Sequence, residues 1–396
     1  MNALGENTLH NGTKRWSRLR RPGWICFAAF TLRLAVLGVF LAHNQVSWGV
    51  NEPAGIARAI VEGRGFSSAF HDATGPTAWV APAYPALLAC IFRIFGVTTA
   101  ASAIIAILLN VVFSSLTAAV LVKLGREQLT ESAGIIAGWA WAIAPPLLFI
   151  PWLLWETCLS GLVLPFAFMT TLRLTRSSRS RDWAWCGVIW SFGALLNPAM
   201  LAPLPVLAID ASVRSRRWKE PILMLAVCLL GILPWTVRNF RAFGQIVPVR
   251  SNFWPEVYFG NISFSLHPTG DSMLYQNEGE MRFAADLKGR VLEFVRSNPK
   301  EFARLTGGRI LAFWLRRSQL ELYPLIIFLM TMGGLVQAWR QRKRWAAFTS
   351  VLVLYPLVYY VSYTFARYRY PIEPLMYLLA GYFVCELWVG IRHQAR

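Results

Sequence analysis

Five consecutive residues near the end of the chain, Arg367-Tyr368-Arg369-Tyr370-Pro371, place two guanidiniums and two phenols beside the last hydrophobic segment. A guanidinium matches phosphate oxygens two at a time, and a phenol adds one more donor. Residue types of this kind suit capture of a lipid-borne phosphate at a membrane face. Arg238 and Asn239, inside PWTVRNF (Pro234 to Phe240), offer a further cation and an amide. The competing reading of Arg238 is a side chain that snorkels to lipid head groups. That reading is weaker for Arg367 and Arg369, because short loops on the outer side of a membrane are normally poor in arginine.

Two acids stand out against so basic a chain. Glu52 follows Asn51 and precedes Pro53, and Pro53 suits a first helical position, Gly63 a C-terminal cap and Ile56, Ile60 and Val61 an apolar stripe. A short helix lying on the membrane would then carry Glu52 at its start, at the positive end of the helix dipole. A carboxylate there could take the proton of an attacking hydroxyl; the plainer reading is an ordinary acid opening a surface helix. Glu156, between Trp155 and Thr157 at the end of a hydrophobic segment, allows the same two readings: orienting a substrate or pairing with an arginine, or a solvated end charge.

Composition determines what must position these groups. Of 396 residues 56% are hydrophobic, 14% aromatic and only 15% charged, so the solvent of this chain is mostly lipid. The net charge of +19 resides in short clusters between apolar runs, as the positive-inside rule requires, and does not imply nucleic acid. The six cysteines all lie in apolar segments without a C-x-x-C pair, and neither His71-Asp72, His267 nor Glu278-x-Glu280 has metal-ligand spacing. No cofactor is required; a divalent metal is neither demanded nor argued against.

Charge also orders the spans. The stretch Ala83 to Gly96 would reach only about 21 Å as a helix, short of a hydrocarbon core of roughly 30 Å. Read as a juxtamembrane or re-entrant helix, it leaves every short basic loop on one side. The expected fold is therefore an all-α polytopic membrane protein of about ten transmembrane helices, at 24–43, 100–122, 132–150, 157–173, 183–197, 199–212, 221–236, 320–338, 346–363 and 373–391. Both termini are expected in the cytoplasm, in one integral domain (1–396) with a first outer loop at 44–99 carrying juxtamembrane helices and a long outer loop at 237–319. In that second loop, Asn298-Pro299-Lys300-Glu301 opens a helix running toward Trp314. Arg33 falls in mid-span and must face protein, with an acid as one candidate partner.

The motifs GRGF (Gly63 to Phe66), GPTAWVAPAYP (Gly75 to Pro85), IFG (Ile94 to Gly96), PWTVRNF, FGN (Phe259 to Asn261) and RYRYPIEP (Arg367 to Pro374) follow one another in an order that resembles bacterial type C membrane glycosyltransferases. The nearest group is similar to the dolichyl-phosphate-mannose protein mannosyltransferases and lipid A aminoarabinose transferases (glycosyltransferase family 39-like). The resemblance implies transfer of a sugar from a polyprenyl-phosphate carrier to an acceptor glycan, lipid or protein on the outer face of a bacterial inner membrane. It places the acceptor near Glu52, where relatives carry an Asp, and it gives Glu156 the position of another family acid. Glu52 and Glu156 are then the catalytic candidates, and Arg238, Asn239, Arg367, Tyr368, Arg369, Arg64 and Tyr84 the substrate-binding ones. Arg64 stands in for a lysine that relatives offer beside the prolines and this chain lacks. The alternatives are a flippase or transporter of lipid-linked sugar, and a noncatalytic partner in envelope assembly.

Overall fold

The computed structural model describes residues 21–43, 48, 51–70, 74–263, 275, 278–315 and 322–394; the basic amino-terminal residues, His71, Asp72 and His267 lie outside them. Among the described residues, six helices are long and apolar enough to cross a membrane: α1 (Pro22–Ala42), α4 (Ala100–Gln128), α7 (Thr157–Arg173, continuing to Arg176), α10 (Glu220–Phe243), α14 (Leu322–Arg340) and α18 (Glu373–Gln394). A seventh is a bent pair, α5 (Glu131–Ile143) with α6 (Pro145–Phe149) and the turn to Trp152, at 58°. The other three expected spans are shorter helices: α8 (Ser180–Leu196), α9 (Leu204–Ser215) and the pair α15 (Trp345–Leu354) and α16 (Leu357–Val361). The chain is an all-α, multi-pass membrane protein. Ala83–Phe95 forms a separate helix, α3, of 13 residues, too short to span and packed on α2 (Glu52–Val61).

The break between α5 and α6 explains Arg33. Pro145 and Pro146 bring no N–H to the carbonyls four residues back, those of Trp141 and Ala142, so both would be orphaned inside the bundle. Arg33 of α1, wholly buried, donates to both, at 2.9 Å (Trp141 O) and 3.2 Å (Ala142 O), and to Ser114 Oγ at 3.1 Å. Arg33 faces protein as expected; an acid was one candidate partner, and the observed ones are carbonyls that prolines left open. Ser114 Oγ in turn lies 3.0 Å from the hydroxyl of Tyr370, so the arginine also braces the RYRYP turn. Arg33→Met should cost about 2–6 kcal/mol, since each of the two buried carbonyls left unpaired costs roughly 1–3 kcal/mol. A melting temperature in detergent equal to wild type would refute that role.

Small residues set the closest helix contacts, as in other membrane bundles. A Cβ on Gly125 of α4 would lie 2.3 Å from Gly134 Cα of α5, so neither helix could sit where it does with a larger residue. Gly63 takes φ +80 after α2, and the N–H of Arg64 returns to Ala59 O at 2.9 Å, which closes that helix as expected.

Above the bundle, α11 (Phe253–Tyr258) and α12 (Glu280–Ser297) form a cap with its own apolar core around Trp79, Tyr275, Phe283 and Leu287, and α13 (Pro299–Leu315) follows, packed on α14 and α16. Glu280 ties it together. Its buried carboxylate accepts from Thr77 Oγ1 (2.5 Å), Ala78 N (2.8 Å), Ser251 Oγ (2.5 Å) and Tyr275 OH (2.7 Å). Pairing of this quality is what a buried carboxylate needs. Glu280 is therefore a structural clamp.

Candidate functional site

Three chain segments are held so that charged side chains meet beneath this cap. The first is α2, whose N-terminus is fixed by Asn51, with Oδ1 accepting from Ala54 N at 2.9 Å and Pro53 in the first turn. That geometry puts Glu52 at the helix start, partly exposed.

The second is the stretch 247–256, which is strapped onto the end of α10. Trp235 Nε1 donates to Val249 O (2.8 Å), Thr236 Oγ1 to Pro248 O (2.9 Å) and Asn239 Nδ2 to Val247 O (2.9 Å). Arg238 donates to Thr77 O at 2.6 Å and to Phe66 O, with its guanidinium against the rings of Trp235, Phe66 and Phe243. The PWTVRNF motif is thus a mount. What it mounts is Arg250, whose Nε donates to Trp79 O (3.2 Å) and whose Nη2 lies 3.3 Å from Glu256 Oε1. Glu256 also accepts from Asn252 Nδ2 at 2.5 Å.

The third is the turn before α18. It is anchored by the FGN motif: Arg309 of α13 donates to Gly260 O (2.8 Å), Asn261 Oδ1 (2.8 Å) and Tyr360 O (2.7 Å), while Asn261 Nδ2 reaches Val361 O at 3.0 Å. A Cβ on Gly260 would come within 2.1 Å of Ser362 O, so only glycine permits this approach. In the short helix α17 (Ala366–Arg369) that follows, the two arginines differ in kind. Arg369 is buried, paired with Glu373 at 3.0 Å and donating to the carbonyls of Phe313 (3.0 Å) and Trp314 (2.8 Å). Among the described residues, Arg367 is held by aromatic faces alone, with its Cζ 4.1 Å from the Trp155 ring centre and 4.8 Å from that of Phe365.

These segments converge. Burial pushes the Glu256 carboxyl above its usual range; Arg250 and Arg367 oppose the shift, and the carboxylates of Glu52 and Glu156 add to it. Burial acts to lower Arg250, but Glu256, Glu156, Tyr368 and Tyr359 outweigh it and hold that guanidinium above its ordinary value. Burial first and Glu256 second push the Tyr368 phenol upward, so its hydroxyl remains a donor at neutral pH. A narrow cleft between Pro53, Tyr84, Trp155, Glu156, Leu196 and Arg250 opens onto this group, with free space of ≈ 10 Å³, about that of one water.

Of the residues singled out in the sequence, Glu52, Glu156, Arg367, Tyr368 and Tyr84 are brought to this cluster. Arg238, Asn239 and Arg369 serve backbone and ion-pair partners beside it. Arg64 donates to Glu62 and to Ser68 Oγ (2.6 Å) on the adjoining surface. Arg250 and Glu256 were not expected; the signal was an arginine and an acid six residues apart, beginning ten residues after the PWTVRNF motif. Among the described residues the side chains of Glu52, Glu156 and Arg367 make no hydrogen bond or ion pair within 4 Å, and no three His, Cys, Asp or Glu lie close enough to hold a metal ion. The cluster thus combines three carboxylates and two guanidiniums, with only Arg250 and Glu256 spent on each other.

Solved structures share this architecture. Archaeal oligosaccharyltransferase AglB from Archaeoglobus fulgidus, in complex with an inhibitory peptide and a dolichol-phosphate, superposes with a TM-score of 0.59 at 14% identity, over 96% of this chain and 51% of that one. The apo form of the Archaeoglobus fulgidus oligosaccharyltransferase gives 0.57 at 16% identity, over 90% and 49%. The complex with Zn and sulfate gives 0.56 at 14% identity, over 88% and 46%. The chain thus shares its fold with these membrane oligosaccharyltransferase structures. At such identity the likeness is one of fold, and the chain spans about half the length of these structures. No protein-family model and no curated protein sequence matches the chain.

Proposed function

We propose that the protein is a glycosyltransferase that moves a sugar from a polyprenyl-phosphate carrier to a hydroxyl acceptor at the cleft end of the membrane bundle. The observation that carries this reading is the meeting of uncommitted carboxylates with an aromatic-held, unpaired guanidinium beside a second arginine. Attack of an acceptor oxygen on the anomeric carbon breaks its bond to the phosphate oxygen. The acceptor proton passes to a carboxylate, and the departing polyprenyl phosphate gains one negative charge. Arg367 and Arg250, with the Tyr368 hydroxyl, are placed to neutralise that charge as it develops. Glu52 is the general base on the acceptor side, and Glu156 orients the acceptor.

The sides of the membrane follow from charge. Glu156 opens α7 and Arg173 closes it, and 17 residues of helix separate them by about 25 Å. Likewise Leu196, at the cleft, ends the helix that begins among Arg179 and Arg181. The cleft therefore lies at the opposite end of the bundle from these arginine clusters, which by the positive-inside rule faces away from the cytosol. A bacterial inner membrane and cytoplasmic termini fit this orientation. The family 39-like mannosyltransferase and aminoarabinose transferase group is the subfamily we favour, on the motif order given above. The flippase alternative gains nothing from the charges within the expected spans: Arg33 serves carbonyls, Asp210 pairs with Arg214 (2.7 Å) and Arg344 (2.8 Å), and Glu386 accepts from Gln341 at 2.5 Å.

The pH dependence of transfer tests the arrangement. Glu256 must be ionised to hold Arg250 in place, and its pKa is raised, so the ionised fraction grows as pH climbs through a value above the ordinary carboxylate one. kcat/KM should accordingly fall on the acid side at a higher pH than a solvent-exposed glutamate would impose. Glu256→Gln should remove that limb and raise KM for the lipid donor more than it lowers kcat, because the residue positions Arg250 and does not take the proton. An acid limb unchanged in Glu256→Gln would sink the assignment.

A further inference from the structure

At the other end of α7 and α8 lies a second cavity, of ≈ 440 Å³, between the turn 174–179 and the first three turns of α8. Its size is in the range of ligand pockets, and its walls are of two kinds. One is cationic, with Arg173, Arg176 and Arg179, and the other is apolar, with Leu174, Trp185 and Ile189; Asp182 also lines the cavity. Trp185 is 66% exposed although it is among the largest apolar side chains of the protein.

The charges around the cavity are not all neutralised within the fold. Arg173 is taken by Glu127, at 2.8 Å and 2.5 Å. Asp182 accepts from Ser177 Oγ at 2.5 Å and lies 3.9 Å from Arg181 Nε. Asp210 is shared between Arg214 and Arg344. Arg344 is held below its usual value, first by burial and in part by the neighbouring cations Arg214 and Arg176. Among the described residues Arg176 and Arg179 have no side-chain hydrogen bond and no acidic partner, although both line the cavity. Two unpaired guanidiniums beside an exposed indole, at the end of two membrane helices, make a surface that is cationic toward water and apolar toward lipid.

We infer that this cavity binds the headgroup of an anionic phospholipid, with Arg176 and Arg179 on the phosphodiester and with Trp185 and Ile189 against the upper acyl chains. The shared chemistry with any soluble phosphate compound is the anion; the apolar wall is what favours the lipid. The cavity is separated from the transfer cleft by the full length of α7, so the inference does not depend on the reaction proposed there. Its position at the membrane surface on the arginine-rich side matches the leaflet where anionic lipids attract basic residues.

Native mass spectrometry of the full chain in detergent, titrated with dioleoylphosphatidylglycerol or dioleoylphosphatidylcholine, tests it. Wild type should retain the anionic lipid in preference to the zwitterionic one. R176Q/R179Q should bind it roughly 30-fold more weakly, the loss expected for two cations near an anionic surface. R176K/R179K, which keeps the charge, should stay close to wild type. Both positions are exposed, so an unchanged melting temperature separates loss of lipid from loss of fold. Equal retention by wild type and R176Q/R179Q, or no preference for the anionic lipid, would overturn the site. Displacement of the lipid by an excess of inorganic phosphate would also overturn it, and would point to a soluble ligand.

Discussion

Glu52→Gln is expected to slow sugar transfer by roughly 10²–10⁴-fold, the usual contribution of a positioned general base. The amide keeps the shape of the side chain and its place in the first turn of α2, and that helix is capped by Asn51 and not by Glu52. Yield, melting temperature and donor binding should therefore match wild type while kcat falls. Among the described residues nothing hydrogen-bonds the Glu52 carboxylate, so no structural partner is lost by the change. If transfer falls only when Glu156→Gln is made, the proton acceptor is Glu156 and the roles of the two acids are exchanged. Full activity in both variants would remove the base from the account.

Arg367→Ala should lower kcat by about 10²–10³-fold, the cost of removing one preorganised donor from a developing anion. Arg367 touches three aromatic rings and no acid within ion-pair distance among the described residues, so folding has little hold on its charge. Arg367→Lys should recover only part of the loss, because a single ammonium cannot form the two parallel bonds that a guanidinium offers a phosphate. Arg369→Ala serves as the contrast. Its guanidinium is buried with Glu373 and two carbonyls, so that variant should fail through instability. Loss of activity with unchanged melting temperature in Arg369→Ala, and the reverse in Arg367→Ala, would mean that the two roles are interchanged.

Most of the architecture could be read before any coordinates, because membrane helices announce themselves by length, apolarity and flanking charge. The short helix Ala83–Phe95, the cap at Gly63 and the helix from Pro299 all lie where length, glycine and proline placed them. Local signals of that sort depend on residues within one or two turns. The site was less legible, for a physical reason. A guanidinium binds a backbone carbonyl as readily as a phosphate, and nothing in PWTVRNF says that Arg238 is committed to Thr77 O and Phe66 O, more than 150 residues away in the chain. Arg250 and Glu256 are silent in the sequence for the complementary reason. They stand in a loop without a recognisable motif, and their importance arises only when Trp235, Thr236 and Asn239 strap that loop over the cleft. Glu280 was similarly unreadable, since the four donors that bury it come from residues 77, 78, 251 and 275.

The same division of labour accounts for Arg33. An arginine in mid-span invites a search for a catalytic or counter-ion role. Here the cost of burying it offsets another cost, that of two carbonyls left open by Pro145 and Pro146. Proton or ion passage through the bundle is not needed to explain it.

The central claim is that the carboxylates and guanidiniums gathered beneath the cap act on one lipid-borne sugar phosphate. Purified protein in liposomes, supplied with polyprenyl-phosphate carriers bearing radiolabelled sugars and with a membrane extract as acceptor, tests it most directly. The account expects label to leave at least one carrier for an acceptor, releasing polyprenyl monophosphate in equal amount, with wild-type protein and not with Glu52→Gln or Arg367→Ala. Label that remains on every carrier, or that only changes leaflet without leaving it, would contradict the account and favour a flippase.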